Sequence, residues 1–304
     1  MSFLPPMVEN VEAQSGAAAV DLNCTSPYAS GAIDVAVHPG ATLTGYSVCT
    51  VSNPSIYQEK ISIQVTADGL VTAAPGSITL APGGESEFQV TVRADSRMTM
   101  QARSLSTTAQ VTEINGVPPP NIAESTSNQI INILQFSMLT AEMVEPRVEI
   151  STGEVYSLEY KVYNRGNWLD KFNIDVDYNE NIGFNIIAPV TSAEIEHMGA
   201  PHKFVLEVKA PSDGTKWIEN DDGIKSLEVM IPVTFTSEFS CRYEGMCNSF
   251  TLLQSVTFLH NETTSSGSEI LSSETQDQIL IYGGSGAGLI LLIVAFFAIK
   301  KRGS

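Results

Sequence analysis

Residues 78–94 read ITLAPGGESEFQVTVRA, and this stretch decides the fold. A short apolar segment runs into residues 81–84 (APGG), and the following Phe88, Val90 and Val92 alternate with polar residues. Strict alternation is typical of a β-strand with one buried face, and a Pro-Gly turn between two such segments predicts a hairpin. The stretch therefore predicts antiparallel β-structure.

A second copy of this pattern lies further along the chain. Residues 53–65 (NPSIYQEKISIQV) recur as 164–176 (NRGNWLDKFNIDV), and residues 88–94 (FQVTVRA) recur as 204–210 (FVLEVKA). The offset is 111 residues for the earlier pair, 116 for the later pair and 122 further on. Offsets that grow in small steps indicate a duplicated domain with loop insertions in the second copy.

Alternation predicts seven short strands in each copy, separated by turn residues. This pattern predicts an all-β protein built from two tandem Ig-like β-sandwiches. The predicted strands are 32–38, 43–52, 60–67, 77–80, 86–94, 104–113 and 129–137 in the first copy, and 147–150, 154–163, 171–177, 184–187, 203–210, 226–236 and 250–259 in the second.

The first copy resembles Ig-like domains of the CARDB and NEW3 kind, which occur in archaeal and bacterial cell-surface proteins. The resemblance rests on the pattern I-T-L-x-P-G-x-x-x-x-F-x-V-x-V over residues 78–92. The second copy keeps Asn164 and residues 165–166 (RG), but residues 197–199 (HMG) replace its Pro-Gly turn. The resemblance covers residues 32–260 and implies a spacer, adhesive module or accessory module, without indicating an activity.

An apolar segment near the C-terminus predicts one membrane span. Residues 279–299 (ILIYGGSGAGLILLIVAFFAI) carry no charge, and 300–302 (KKR) follow directly. As a helix this segment would be about 31 Å long, which matches a bilayer, and the basic flank would remain in the cytoplasm. A buried core helix is the alternative. Gly284 and Gly288 form a GxxxG pair, which favours dimerisation through the membrane helix.

These observations divide the chain into six predicted parts. Residues 1–31 lack the basic and long apolar regions of a complete signal peptide. We expect this segment to contain the remnant of a signal peptide, followed by an exposed lead-in with Cys24. Insertion by the C-terminal helix alone is the alternative. The other parts are sandwich 1 at 32–140, sandwich 2 at 141–260, a Ser/Thr-rich stalk at 261–278, the membrane helix at 279–299 and a basic cytoplasmic tail at 300–304.

The four cysteines predict two disulfides, Cys24 with Cys49 and Cys241 with Cys247. Their spacing does not match a zinc or thioredoxin-like motif, and an even cysteine count in an exported chain favours covalent bridges. Two glycosylation sequons are intact, at Asn23 and Asn261. Both fall in the part of the chain for which we predict an extracellular location at the cell membrane.

Composition and motifs narrow the function classes. Before residue 279 there are 34 acidic and 13 basic residues, a net charge of −21 that disfavours nucleic acid as a partner. No nucleophile elbow, HExxH motif or phosphate loop occurs, so we expect no enzyme, no cofactor and no metal site. His197 and His202 could hold a soft metal with Met198, but a polar hairpin turn is the preferred interpretation. The acidic turn at 219–223 could also bind a divalent cation weakly.

One loop stands out as a candidate binding tip. Residues 241–247 (CRYEGMC) would be closed by a disulfide, and Arg242, Tyr243 and Met246 are the candidate contacts. We therefore predict a membrane-anchored extracellular structural or adhesion protein. The alternative is an accessory ectodomain of a membrane complex that recognises a carbohydrate or a partner protein.

Overall fold

The computed structural model describes residues 17–178, 183–221 and 223–260, and these residues are organised almost entirely as β-strands. Across them no helix has the length and apolarity that a membrane crossing requires. The predicted span at 279–299, with Gly284 and Gly288, lies outside the described residues, as do Asn261 and the stalk.

Nine strands form sandwich 1, which packs a four-stranded sheet (β1-β3-β7-β5) against a five-stranded sheet (β2-β9-β8-β4-β6). The strands are β1 (Asp21–Thr25), β2 (Ile33–Val35), β3 (Thr44–Ser52), β4 (Glu59–Ala67), β5 (Val71–Ala73), β6 (Ser77–Leu80), β7 (Glu85–Arg93), β8 (Gln101–Ile114) and β9 (Glu124–Ile133).

The described residues of sandwich 2 form ten strands, with sheets β10-β12-β16-β14 and β11-β19-β18-β13-β15, and the short β17 pairs with β18. The strands are β10 (Leu139–Met143), β11 (Arg147–Ser151), β12 (Val155–Asn164), β13 (Asp170–Val176), β14 (Asn185–Ile187), β15 (Ser192–Ile195), β16 (His202–Lys209), β17 (Ile218–Glu219), β18 (Lys225–Ser237) and β19 (Ser249–His260).

The two sandwiches have the same topology. If β17 is set aside, every strand of sandwich 2 has a counterpart at the same place in sandwich 1, in the same chain order. The correspondence includes one parallel pair in each sandwich, β2 with β9 and β11 with β19. β17 lies in the longer connection between β16 and β18, where the sequence offset grows. The strand pairing thus bears out the duplication read from the sequence.

Each sandwich has its own hydrophobic core, supplied by the alternating residues that predicted the strands. Phe88, Val90 and Val92 of β7 are buried in the first core, and their counterparts on β16 are fully buried in the second. The first core ends at Phe136 and the second begins at Leu139. Both sandwiches belong to one compact unit that ends at His260.

The repeated asparagine has the same structural role in both copies. Asn53 and Asn164 are buried at the end of equivalent strands. Each side-chain amide donates to the carbonyl four residues later, over 2.8 Å and 2.7 Å respectively. Each side-chain oxygen accepts the N–H two residues later, at 2.9 Å. Each asparagine therefore fixes the turn into the following strand by satisfying its buried backbone groups.

Two of the predicted boundaries are wrong. Residues 21–25 are not an exposed lead-in, because β1 pairs with β3 and Cys24 is buried in the first core. The predicted boundary at 140/141 falls inside β10, whereas the change of core lies between Phe136 and Leu139. The alternation also missed five strands of two to five residues, which are β1, β5, β10, β15 and β17.

Candidate functional site

The linker at 134–138 joins the sandwiches, and the buried side chain of Asn167 bonds to it. The Asn167 side-chain oxygen accepts the Phe136 N–H at 2.9 Å, and its amide nitrogen donates to the carbonyls of Leu134 and Met98, each at 2.9 Å. Asn167 is 1% exposed. A single sandwich 2 side chain therefore satisfies three backbone groups of sandwich 1 and the linker.

Further contacts strengthen this junction. Thr99 Oγ1 lies 3.3 Å from His197 Nε2, and the Gln135 side chain donates to the Leu169 carbonyl at 3.0 Å. Gly166 packs so closely that an added Cβ would lie 2.5 Å from the Phe136 carbonyl oxygen. Only glycine fits there without moving the backbone.

The buried carboxylate of Asp170 connects the segments that meet beside the junction by hydrogen bonds. One of its oxygens accepts the hydroxyls of Ser137, at 3.0 Å, and Ser237, at 2.6 Å, and the other accepts the Phe239 N–H at 3.2 Å. Asp170 thus ties the linker to the end of β18. In sandwich 1 the equivalent Glu59 is also buried and accepts a backbone N–H of its own leading segment, from Ala19.

The disulfide loop at 241–247 lies between β18 and β19, and both predicted disulfides form. The loop begins with a short helical turn, Ser240–Glu244. Gly245, with a φ of 76°, ends this helical turn in a left-handed conformation that favours glycine. Glu244 accepts the Ser137 N–H at 2.8 Å, and the Asn248 side chain donates to the Ser137 carbonyl at 3.0 Å. The loop is therefore held to the linker through both the N–H and the carbonyl of Ser137.

An open groove of about 270 Å³ lies between this loop and the start of β13. Its walls are residues 168–171, Gln135 of the linker, Glu194 of β15 and the four side chains of Glu238, Phe239, Arg242 and Tyr243. The groove therefore combines sequence segments from the linker, the β12–β13 turn and the β18–β19 loop.

Three of the charged side chains that line the groove form one ion-pair network. Glu238 accepts both Arg242, at 2.6 Å, and Lys171, at 3.3 Å, with 23% of its side chain exposed. Such a three-member network holds its side chains in place better than an isolated surface pair. The groove wall consequently presents ordered donors and acceptors with little net charge.

Two aromatic rings are exposed at the groove, and each is supported from behind. Trp168 is 42% exposed and stacks on His197, with 6.0 Å between ring centroids and 25° between planes. Tyr243 is 73% exposed and packs on Phe239 at 5.2 Å. Packing of this kind orients a ring before any ligand arrives.

The structure brings together only part of the predicted site. Arg242 and Tyr243 line the groove, whereas Met246, 77% exposed, is not among its lining residues. Trp168 and Phe239 were missed, although a tryptophan between the predicted strands 154–163 and 171–177 is a sequence signal that could have found the first. Asn23 is exposed on β1, where a glycan could be attached.

The histidines considered for a metal site have other partners. His197 contacts Trp168 and Thr99, while His202 packs edge-on against Phe204. Met198 is 89% exposed. In the ranges that the structure describes, no three His, Cys, Asp or Glu side chains are grouped so that they could hold a metal ion.

No protein-family model and no curated protein matches the sequence. Among solved structures, protocadherin gamma B7 cadherin domains 1–4 match at 11% identity over 80% of this chain and 51% of that one, with a TM-score of 0.38. The Salmonella enterica SafA pilin–SafB chaperone complex matches at 13% identity over 71% and 88%, with a TM-score of 0.25. The PapD-like domain 7 of human CEP192 matches at 10% identity over 44% and 97%, with a TM-score of 0.28. TM-scores this low indicate nothing about function, and the assignment of two β-sandwiches rests on the strand pairing alone.

Proposed function

We propose that this chain is a membrane-anchored structural or adhesion protein, whose two sandwiches form one stiff unit at the outer cell surface. The observation that carries the proposal is the Asn167 contact, in which one buried side chain bonds to three backbone groups across the junction. A flexible tether would not need such a contact. Relative motion of neighbouring domains is otherwise the default, so a buried contact that fixes the joint suits a spacer or adhesive module, which must hold its binding surface in one orientation.

Two further features support an exported location. Both disulfides join residues that would remain reduced in most cytosols, so their formation fits an oxidising compartment. The acidic composition suits a soluble surface that repels anionic headgroups. The uncharged segment 279–299 with its basic flank supplies the proposed anchor, and Gly284 with Gly288 the proposed dimer contact.

The second candidate is an accessory ectodomain that recognises a carbohydrate or a partner protein. The groove favours it, because Arg242 and Tyr243 were expected as contacts and both line a preformed depression beside the junction. The two roles are compatible, since an adhesive surface module needs a recognition site. We expect no catalytic activity and no cofactor.

Protease treatment of intact cells tests the proposed location. A membrane-impermeant thiol reagent is applied in parallel, before and after reduction. The proposal predicts digestion to a small membrane-bound fragment and labelling of the four cysteines only after reduction. Protection from protease together with freely reactive thiols would reverse the topology and remove the surface role.

A further inference from the structure

We propose that the groove beside the junction is a glycan-binding site that takes one or two pyranose rings through Trp168 and Tyr243. The inference rests on the proposed surface location, but it does not depend on the stiffness of the junction. It assigns a ligand class to a site that includes Trp168 and Phe239, which the disulfide loop alone does not supply.

The size and openness of the groove suit a small part of a larger polymer. Its volume of about 270 Å³ is just below the range of drug-sized pockets. The groove is widely open to solvent, so the ends of a longer chain could leave it. A terminal or internal sugar unit therefore fits better than an enclosed cofactor.

The two exposed rings provide the contact surface that sugars need. A pyranose ring has a face of C–H groups and an edge of hydroxyls, so it combines apolar contact with hydrogen bonding. Trp168, supported by His197, and Tyr243, supported by Phe239, offer aromatic faces that are already oriented. Because these rings lose little conformational freedom on binding, the cost of ordering is small.

The polar groups of the groove match hydroxyls better than ions. Lys171 and Arg242 share the Glu238 carboxylate as their ion-pair partner, and Glu194 adds a second carboxylate to the lining, so these four side chains carry no net charge. An anionic ligand would meet these carboxylates, and a cationic one would meet Lys171 and Arg242. A neutral ligand with many hydroxyls can donate to Glu194 and accept from Arg242 without disturbing the network.

Asp170 is a buried lining residue of the groove and supports the site from within. Its three hydrogen bonds, to Ser137, Ser237 and Phe239, occupy both carboxylate oxygens. It therefore holds the β18–β19 loop against the linker and leaves recognition to the exposed side chains. The binding surface depends on Asp170 for its shape.

The two tryptophans of the chain make a direct experiment available. Trp217 packs on Phe258 and His260, outside the groove. In the full chain carrying Trp217→Phe, fluorescence reports Trp168 alone, and the Trp168→Phe variant reports Trp217 alone. Triacetylchitotriose, maltotriose and mannotriose are titrated to about 10 mM, with tetraproline as the peptide probe.

The proposal predicts a saturable change in Trp168 emission with at least one trisaccharide and none in Trp217 emission. Tyr243→Ala, introduced into the Trp217→Phe chain, should weaken binding about tenfold. Met246→Ala, in the same loop but not lining the groove, should leave the affinity within about twofold and serves as the matched control.

Two results would overturn the inference. One is the absence of any saturable Trp168 response to the three sugars, in variants whose circular dichroism matches the parent. The other is a response to tetraproline alone that Tyr243→Ala abolishes, which would make the groove a peptide site. Neither result changes the outcome of the protease experiment, so failure of the glycan site is distinguishable from failure of the surface role.

Discussion

Replacing Asn167 with Ala removes the side chain that connects the two sandwiches. Three hydrogen bonds are lost, to Phe136, Leu134 and Met98, each 2.9 Å long. At about 1 kcal/mol for each bond, the junction loses about 3 kcal/mol. The Phe136 N–H is affected most, because this hydrogen bond is buried and a buried donor without an acceptor is costly.

Hydrogen exchange of the Phe136 amide measures this loss directly. A 3 kcal/mol decrease in the free energy of local opening corresponds to about 100-fold faster exchange. The duplication supplies a matched control at Ile56, which is equivalent to Asn167 in sandwich 1 and 46% exposed. Ile56→Ala should change exchange at Phe136 by less than about threefold.

Unchanged protection of Phe136 in Asn167→Ala would refute this reasoning. The result would mean that the packing of the linker, independent of the Asn167 side chain, holds the sandwiches together. Collapse of both sandwiches would be equally informative, since the variant is expected to leave both cores intact. Protection of amides in β7 and β16 separates these two outcomes.

Three further predictions concern stability. Burial raises the pKa of the Tyr160 hydroxyl, so as the pH rises the unfolded chain loses this proton before the folded chain does. The free energy of unfolding should therefore fall above about pH 10, by about 1.4 kcal/mol per pH unit. Tyr160→Phe should reduce that decline, measured by urea titrations at about pH 10 to 12. Gly166→Ala drives a Cβ to 2.5 Å from the Phe136 carbonyl and should lower the thermal midpoint, whereas Gly76→Ala, with open space around it, should not. Removing the Cys24–Cys49 bridge by a double alanine change should cost about 3 kcal/mol in urea unfolding, because it closes a 25-residue separation; an unchanged midpoint would contradict this estimate.

Most of the fold could be predicted from the sequence because the cores are built from alternating residues. Phe88, Val90 and Val92 are recognisable in the sequence because they alternate with polar residues. The same alternation places them on the buried face of β7. The missed strands have two to five residues, which is too few to show a clear period, and β5 (Val71–Ala73) has no buried side chain at all.

The junction could not be predicted in the same way. Asn164 and the acidic residue six positions later were recognised as part of the repeat, but charge normally predicts exposure, and Asp170 is buried. Its burial is tolerated only because Ser137, Ser237 and Phe239 supply donors from distant segments. Sequence spacing contains no signal for such a meeting.

The candidate site was predicted in part for a related reason. The disulfide marked residues 241–247 as a rigid exposed loop, so Arg242 and Tyr243 could be named in advance. Trp168 reaches the same groove from the β12–β13 turn, which the fold brings alongside the loop. Only the tertiary structure defines the second wall.

The measurement that tests the central claim most directly is the distance distribution across the junction in the full chain. Spin labels at Gln89→Cys and Lys209→Cys, both exposed on strands of different sandwiches, would be read by double electron–electron resonance. A stiff two-sandwich unit predicts one narrow distance that broadens in Asn167→Ala. A broad distribution in the unaltered junction would contradict the claim that the two sandwiches form one structural unit.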